Sequence, residues 1–433
     1  MDRKIQTSLI TKTLAVAITA AMASTVQAAS TEQQQIQELR QEVQALKALI
    51  QQQQQAQQQQ QVQIQQVQAQ PAPAAKSASP FSLKSKGGAE VNLYGFVRGD
   101  ANYIVEGADN DFNSVHTSTG AAKDKLRATP KTTRLGLDFS SPVGDRKVGG
   151  KIEVDFAGTN DALRIRHAYL TLDNWLLGQT TSNFLSNHAP EMIDFGTNVG
   201  GGTTRIPQVR YSHKLAPATQ LLVSAEEGNS SAQALKLNDD DELATAGSDV
   251  TYRLPVLTAK LTQGFAEGKG AASARALVEH YKAESGDDKT GWGVAAGVNY
   301  QVAEPLKVSA DVSYVQGNSN YLYGSNSAFY VNPENGDIEQ NEFTAFQVGA
   351  TYKFAPNLRS TLGYGAIFAD DGTDYAVLNR SANEEVYQAW LNFIYSPVKP
   401  VDLGIEYING ERETFAGNKF KDNRFGLMAR YNF

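Results

Sequence analysis

The chain contains no cysteine among its 433 residues, so disulfides cannot stabilise it. Nor does it contain a run of about 18 consecutive apolar residues, the length that a membrane-spanning helix needs. These two absences exclude a disulfide-stapled secreted domain and a helical membrane protein. A chain of this kind must rely on hydrogen bonding and burial, as a closed β-barrel does.

Signatures of catalysis and metal binding are also sparse. The five histidines show no metal-ligand spacing, and the sequence has no H-E-x-x-H, G-x-S-x-G or Gly-rich phosphate loop. Residues 109–113 start like a calcium loop, but Ser114 and Gly120 stand where that loop requires Gly and Glu. Strand parity places His167 and His213 on the outward face. We therefore expect no enzyme activity, no metal and no cofactor.

Residues 1–28 are predicted to be an export signal. Lys4 and Lys12 precede a short run of apolar and small residues, and residues 26–28 have the small-residue form of a cleavage site. The run is too short to be a transmembrane helix. An exported chain of this composition is either soluble after export or a membrane barrel.

Residues 30–70 are predicted to form a short periplasmic coiled-coil helix. Their apolar residues follow the 3-4 spacing of a heptad seam, and the register resumes after a polyglutamine stretch. The seam residues are Ile36, Leu39, Val43, Leu46, Ile50, Ile64 and Val67. A Gln-rich, weakly helical spacer is the alternative. The seam indicates an oligomer without fixing its number, and prolines within residues 71–90 end the helix in an extended linker.

Residues 91–433 alternate apolar and polar side chains in segments of about ten residues, the length of a tilted transmembrane strand. In residues 292–302, for example, the even positions are mainly large and apolar, and the odd positions are small or polar. The chain ends on such a strand with Phe433. Taken alone, that ending could also be the edge strand of a sandwich. It resembles the signal that outer-membrane barrels of Gram-negative bacteria present to their assembly machinery.

The number of strands follows from the short connections, many of which contain proline. Seven of them lie near residues 141–142, 173–174, 216–217, 254–255, 304–305, 355–356 and 397–400. Short turns face the periplasm in such barrels, and long loops face outward. Seven turns and two periplasmic termini require sixteen strands, which assigns residues 276–281 to the fifth loop. The predicted fold is all-β, a sixteen-stranded antiparallel transmembrane β-barrel that is too wide for side chains to fill.

Arginine recurs on the face that parity assigns to the lumen, although the net charge of the chain is -7. Rings of cationic side chains select for anions, and guanidinium groups bind carboxylates with two parallel hydrogen bonds. The candidate pore-lining residues are Arg98, Arg134, Arg164, Arg166, Arg205, Arg210, Arg253 and Arg359. Arg164 and Arg166 are the strongest, because they lie two residues apart on one face. The alternative is that inward arginines only pair with inward Asp or Glu.

Residues 184–204 are predicted to form a long third loop. Glycines at positions 200–202 would let this loop fold into the lumen and narrow it. Its carboxylates, Glu191 and Asp194, are expected to face the arginines of the wall. Negative charge is otherwise concentrated in the predicted outer loops, including residues 239–242.

The opening segment 91–98, residues 163–170 and residues 178–179, together with the Gln-rich segment and the linker, resemble the DcaP-like porins. The resemblance covers nearly the whole mature chain. It implies a homotrimeric outer-membrane channel that takes up dicarboxylates and other small anions through a positive constriction. The partners expected are outer-membrane lipid and lipopolysaccharide, the barrel-assembly machinery acting on Phe433, and anionic solutes, without nucleic acid.

Two alternative functions are weighed against this one. The first is a sugar-type or general diffusion porin. The sugar type would use an aromatic track along the lumen, for which Tyr94, Phe96 and Trp390 are the inward candidates. They are few and scattered. An outer-membrane barrel hydrolase would need a nucleophile beside an oriented histidine, and the inward face offers no evident pairing.

Overall fold

The computed structural model describes residues 82–84, 87–194, 198–228, 230, 232–237, 243–246 and 250–433. The predicted export signal (1–28), the predicted coiled coil (30–70) and the first part of the predicted linker lie outside these ranges. The acidic segment 239–242 also lies outside them. No helix in the described part of the chain is long and apolar enough to cross a membrane.

Sixteen antiparallel strands form the barrel and are labelled β1 to β16 in chain order. The second strand is interrupted at residues 130–133, and its two segments pair with the two halves of β1. The strands are β1 (Glu90–Gly107), β2 (Ala122–Thr129 and Arg134–Val143), β3 (Arg146–Asp155), β4 (Arg164–Leu172), β5 (Trp175–Thr181), β6 (Arg205–Ala216), β7 (Thr219–Glu226), β8 (Val256–Phe265), β9 (Gly270–Ala283), β10 (Asp288–Ala303), β11 (Leu306–Gln316), β12 (Glu342–Ala355), β13 (Leu358–Ala369), β14 (Asn383–Val398), β15 (Val401–Thr414) and β16 (Lys419–Asn432).

The sheet closes on itself between its last and first strands. Strand β16 pairs with β1 from Asn432 opposite Phe96 to Asn423 opposite Glu106. The backbones of Gly95 and Phe433 also exchange two hydrogen bonds, of 3.1 and 3.0 Å. Closure pairs the backbone groups that an open edge would expose, which a spanning sheet requires. The predicted all-β, sixteen-stranded barrel is confirmed.

The outer surface of the barrel is apolar, as the alternation predicts. In β10, Trp292, Val294 and Val298 are 39%, 48% and 38% exposed, whereas the intervening Ala295 is 8% exposed. Large apolar side chains that face outward in this way fit a lipid surface and not water. The side chains at the alternate positions of each strand therefore face the interior of the barrel.

One predicted turn is wrong. Residues 254–255 lie just before β8, where Pro255, which has no N–H, can begin a strand. The turn between β8 and β9 lies at residues 266–269, and three successive residues there have φ values of 51°, 56° and 87°. This turn contains no proline, which is the feature that identified most of the predicted turns. Residues 276–281, which were predicted to lie in the fifth loop, belong to β9.

Shorter elements lie outside the barrel ladder. The strand Ser82–Lys84 pairs with the start of β1, and Val250–Thr251 pairs with β9. A separate four-stranded sheet joins the fourth and sixth loops. Its strands are Ala232–Leu237, Leu243–Ala246, Phe329–Val331 and Ile338–Gln340. Among the described residues, the helical elements are α1 (Asp374–Leu378) and the single 3-10 turns Val115–Thr117, Thr159–Asp161 and Ala266–Gly268.

Three loops fill part of the barrel interior with an apolar core. They are loop 1 (residues 108–121), loop 3 (182–204) and loop 6 (317–341). The loop residues of this core are Val115, Phe184, Leu185, Val199, Tyr321 and Leu322. They pack against inward side chains on β8 to β14, namely Val256, Leu277, Ala295, Val315, Phe343, Ala345, Ile367 and Val386. Side chains alone could not fill the barrel, but folded loops occupy this sector, and no described residue of this core lies on β2 to β6.

Candidate channel constriction

The start of loop 3 is fastened to the filled sector by two buried cations. The ammonium of Lys260 donates to the carbonyl of Leu185 at 2.7 Å, and Arg275 Nη1 donates to the carbonyl of Phe184 at 3.0 Å. Arg275 also donates to both carboxylate oxygens of Asp311 at 2.6 Å. These two cations were not among the predicted site residues, because they lie on β8 and β9, next to the misplaced turn.

The middle of loop 3 is held by carboxylates. Arg359 Nε and Nη2 donate to the two oxygens of Glu191 at 2.7 Å each, so this predicted loop carboxylate does meet a wall arginine. The backbone N–H groups of Ile193 and Asp194 donate to Glu406 at 2.8 Å each. The carboxylate of Asp194 accepts from the backbone N–H of Asn113 at 2.7 Å and so joins loop 3 to loop 1.

The glycines of loop 3 allow a close approach to its neighbours. Gly200 has φ +79°, and a Cβ there would overlap the carbonyl oxygen of Phe346 on β12. A Cβ at Gly202 would overlap the carbonyl oxygen of Tyr321 in loop 6. The predicted fold of this loop into the barrel therefore depends on residues without side chains.

The wall of β2 to β6 carries a cluster of arginines around two acids of β3. Arg164 Nε and Nη2 donate to Asp155 at 2.9 and 2.8 Å, and Arg166 Nη1 donates to it at 2.9 Å. Arg166 Nε also donates to Glu153 at 2.8 Å, and Arg134 Nε lies 3.4 Å from the same carboxylate. The side chain of Arg164 is 46% exposed, against 9% for Arg166, so Arg164 is the one that reaches open solvent.

Two further arginines on β6 make no ion pair with an acid among the described residues. Arg205 interacts electrostatically with Arg166, with Arg134 and with Glu153, and its Nε is buried without a hydrogen-bond partner in the described structure. Arg210 donates to the neutral Asn183 at 3.2 Å. Four guanidinium groups therefore lie around the two carboxylates of Glu153 and Asp155, an excess of two positive charges, and Arg210 interacts with Glu226 on β7. The alternative of simple charge pairing accounts for only part of the cluster.

A β-bulge changes which side chains of β4 face inward. The pairing of β3 and β4 shifts register between Glu153 and Val154, so β4 carries an extra residue there. His167, predicted to face outward, lies inward instead, with Nδ1 2.9 Å from Thr180 Oγ1 and Nε2 3.8 Å from Glu153. The prediction assumed that side chains alternate strictly between the two faces, so it could not detect an inserted residue. His213 is exposed, as predicted.

The remaining predicted arginines have other surroundings. Arg98 is 2% exposed and donates to Asp100 at 2.6 Å and to the carbonyl of Ile193 at 2.5 Å, so it supports loop 3 from β1. Arg253 is exposed and precedes β8 in an irregular segment, so its predicted place on the inward face of a strand is wrong. Parity fails there because the short strand Val250–Thr251 ends before Arg253.

The inward aromatic residues do not form a track. Tyr94 donates to Glu153 at 2.9 Å, and Phe96 lies under the guanidinium of Arg134 at 5.0 Å. Trp390 Nε1 donates to the carbonyl of Glu191 at 3.0 Å and so supports loop 3. Each of these rings is engaged in holding a charged or polar group.

Loop 1 adds an ion cluster. Lys125 and Arg127 donate to Asp109 at 2.7 and 2.8 Å, and Arg127 and Lys131 both donate to Asp111. Burial acts to raise the pKa of Asp111, but the hydrogen bonds from Lys131 and Arg127 outweigh it and lower that pKa below its usual range. These cationic side chains pair with the carboxylates that a calcium loop would need as metal ligands.

Most of the chain is similar to known outer-membrane proteins. A family model described as DcaP outer membrane protein matches residues 15–433. The crystal structure of the outer membrane channel DcaP of Acinetobacter baumannii is 66% identical, with a TM-score of 0.76 over 81% of this chain and 99% of that chain. The outer-membrane expressed OmpT of Vibrio cholerae matches with 15% identity and a TM-score of 0.53, over 82% of this chain and 100% of that one.

The anion-selective porin from Comamonas acidovorans is 12% identical, with a TM-score of 0.52 over 80% of this chain and 100% of that one. At such low identity, it and OmpT share the fold with this chain and nothing more specific. Comparison with curated protein sequences gave no significant match.

Proposed function

The chain belongs to the DcaP outer membrane protein family, and from that premise we propose that it is a passive porin for small organic anions, with dicarboxylates as preferred solutes. It is an outer-membrane channel and not an enzyme. Movement through it is driven by the solute gradient and requires no cofactor.

The observation that carries this proposal is the arginine cluster on β2 to β6. Loops 1, 3 and 6 fill the opposite sector, so a solute must pass close to these arginines. Arg205 makes no ion pair with an acid among the described residues, and Arg164 is half exposed, so both can bind a carboxylate without breaking a buried ion pair. Guanidinium groups at more than one position suit a solute with two carboxylates.

A sugar-type porin is supported less well. Such a channel would need ring faces in succession along the lumen. Tyr94, Phe96 and Trp390 are instead engaged with Glu153, Arg134 and loop 3. The charge excess on the wall favours anions over neutral sugars.

The proposal extends to the assembly and orientation of the channel. We propose a homotrimer with the short turns and the N-terminal segment in the periplasm, and lipopolysaccharide around the outer leaflet. The exposed apolar face of the barrel supports lipid contact. Phe433, which closes the barrel on Gly95, is the residue that the assembly machinery would recognise.

The test is the double substitution Arg164→Ala and Arg166→Ala. It removes two cations and leaves Asp155 and Glu153 in the wall without these two partners. Selectivity should therefore shift toward cations, and dicarboxylate binding should weaken about tenfold or more. The change of both residues to Glu should reverse the selectivity. Reversal potentials in a salt gradient and the block of the current by a dicarboxylate measure these effects.

The control removes the same charge elsewhere. Arg146→Ala with Lys147→Ala takes two cations from an exposed turn beside Asp173 and should leave selectivity unchanged. Wild-type anion selectivity in the Arg164/Arg166 variant would show that these two residues do not control passage. The constriction would then have to be sought at Arg98, Arg134, Arg205 and Arg210.

A further inference from the structure

Loop 6 enters the barrel and lies against the glycine-containing segment of loop 3. The backbone N–H of Tyr323 donates to the carbonyl of Gly201 at 2.9 Å, and Thr204 Oγ1 donates to the carbonyl of Asn320 at 2.6 Å. Tyr321, next to Tyr323, is fully buried and donates to Glu226 on β7 at 3.0 Å. This part of loop 6 is therefore held in place by backbone and buried side-chain contacts.

Two hydroxyl groups meet where these loops face the arginine wall. Thr203 Oγ1 and the hydroxyl oxygen of Tyr323 are 2.6 Å apart, and both residues are partly exposed. The side chain of Tyr323 interacts electrostatically with Arg164 and with Arg205. The hydroxyl pair therefore lies on the side of these loops that is near Arg164 and Arg205.

One hydroxyl proton of the Thr203–Tyr323 pair is not needed for the hydrogen bond between the two residues. Each hydroxyl carries one donor, and the hydrogen bond between Thr203 and Tyr323 uses only one of the two. Neither hydroxyl has another hydrogen-bond partner among the described residues. Whichever residue donates to the other, one hydroxyl proton is left for water or for a solute in the lumen.

We infer that Thr203 and Tyr323 form a neutral binding subsite opposite Arg164 and Arg205, which accepts a hydroxyl or carbonyl oxygen of a permeating carboxylate. This inference rests on the proposed anion-porin function and adds to it. The arginines bind a carboxylate through charge, and the hydroxyl pair distinguishes between anions of equal charge. Hydroxy- and oxo-carboxylates are the solute class that fits both sides.

Malate and succinate test the subsite, because they have the same charge and chain length and differ by one hydroxyl. Bi-ionic reversal potentials in planar bilayers give the malate-to-succinate permeability ratio. One neutral hydrogen bond changes binding about threefold to tenfold, so wild-type protein should prefer malate by that order. Tyr323→Phe keeps the ring and removes its hydroxyl, and Thr203→Val removes the other hydroxyl. The double variant, which carries both changes, has no hydroxyl left at the subsite and should bring the ratio close to one.

Two controls separate this effect from a general loosening of the loops. Thr203→Ser keeps the hydroxyl and should keep the ratio. Tyr375→Phe also removes a tyrosine hydroxyl, which bonds Ser327 at 2.7 Å within the loops, and should leave the ratio unchanged. A ratio near one in the wild type, or a wild-type ratio in the Thr203→Val/Tyr323→Phe double variant, would overturn the subsite.

Failure of the subsite can be told from failure of the proposed function. Reversal potentials in a potassium chloride gradient report anion selectivity without involving the malate hydroxyl. Cation selectivity in the wild type would contradict the porin proposal itself. Anion selectivity together with an unchanged malate-to-succinate ratio in the Thr203→Val/Tyr323→Phe double variant would contradict only the subsite.

Discussion

At the scale of single residues, the acids of β3 determine how the wall arginines are presented. Asp155 holds the guanidinium groups of both Arg164 and Arg166, so these side chains have a fixed geometry before any solute arrives. Arg205 has no such acid among the described residues, and its charge is offset less. The fixed geometry of Arg164 and Arg166 helps to orient a bound carboxylate. The less compensated charge of Arg205 helps to attract anions into the channel.

His188 is the residue from which we expect a pH dependence. It is buried in loop 3, with Nε2 3.0 Å from Ser273 Oγ and Nδ1 3.0 Å from the amide of Asn299. Burial, with repulsion from Arg275, Lys260 and Lys307, lowers its pKa to about 4. The docked loop therefore favours neutral imidazole. Its stabilisation is complete above the usual histidine pKa of about 6.5 and is lost as the pH falls toward 4.

Closures of single channels should consequently become more frequent between pH 7 and pH 5 as loop 3 loosens. His188→Gln cannot be protonated and should lose this pH dependence, while His213→Gln, at an exposed outward position, should retain it. Recordings of single channels at both pH values measure the closure rate. An equal pH dependence in wild type and His188→Gln would exclude His188 as its source.

At the scale of elements, loop 3 owes its position to distributed contacts. Cations on β8 and β9, Arg359 on β13 and Glu406 on β15 each hold a different part of it. Several of these contacts satisfy backbone groups of a loop that lies inside the barrel, where an unpaired group would be costly. The loop is therefore a fixed wall of the lumen.

Substitution of Gly200 tests whether these contacts determine the position of loop 3. Gly200→Ala meets both an unfavourable φ of +79° and an overlap with the carbonyl of Phe346, so loop 3 should shift away from β12. We expect an altered single-channel conductance with the barrel still formed. Gly120→Ala is the matched control, because its φ is +68° but nothing lies within 4 Å of the added methyl group.

Heat-modifiable migration on a gel reports whether the barrel is closed, and single-channel conductance reports the loop. The strain of a left-handed alanine, about 1 kcal/mol, is common to both variants. Equal conductance changes in the two would mean that the overlap with β12 has no effect on the position of the loop.

At the scale of the whole molecule, the barrel is stabilised by a closed ladder of hydrogen bonds and by its apolar exterior. Apolar side chains along the strands, such as Leu170, Leu177 and Leu427, are 59%, 52% and 54% exposed. In a trimer, such surface can be buried against a neighbouring barrel as well as against lipid. That contact would be larger than a few seam layers of a Gln-rich coiled coil.

Removal of residues 31–70 should therefore leave the oligomer intact on a mild-detergent gel. The predicted coiled coil lies outside the described residues, and this experiment asks whether assembly depends on it. Channel conductance per oligomer should stay the same, because the lumen is built from the barrel and its loops. The appearance of monomers after the deletion would show that the N-terminal segment creates the oligomer.

Sequence alone determined the features that repeat locally. A period of two marks the inward and outward faces of each strand, so it predicted the barrel, the lipid-facing side chains of β10 and the shared face of Arg164 and Arg166. A turn without proline and a one-residue bulge break that period, so the β8–β9 turn and the inward position of His167 were missed.

Only the tertiary structure decided which charges are compensated and where the lumen lies. Glu191 and Arg359 are 168 residues apart, and no local pattern links them. The same holds for Thr203 and Tyr323, which are 120 residues apart and belong to different loops. Strand faces follow from neighbours along the chain, whereas the constriction follows from loops that fold back across the barrel and choose their partners in space.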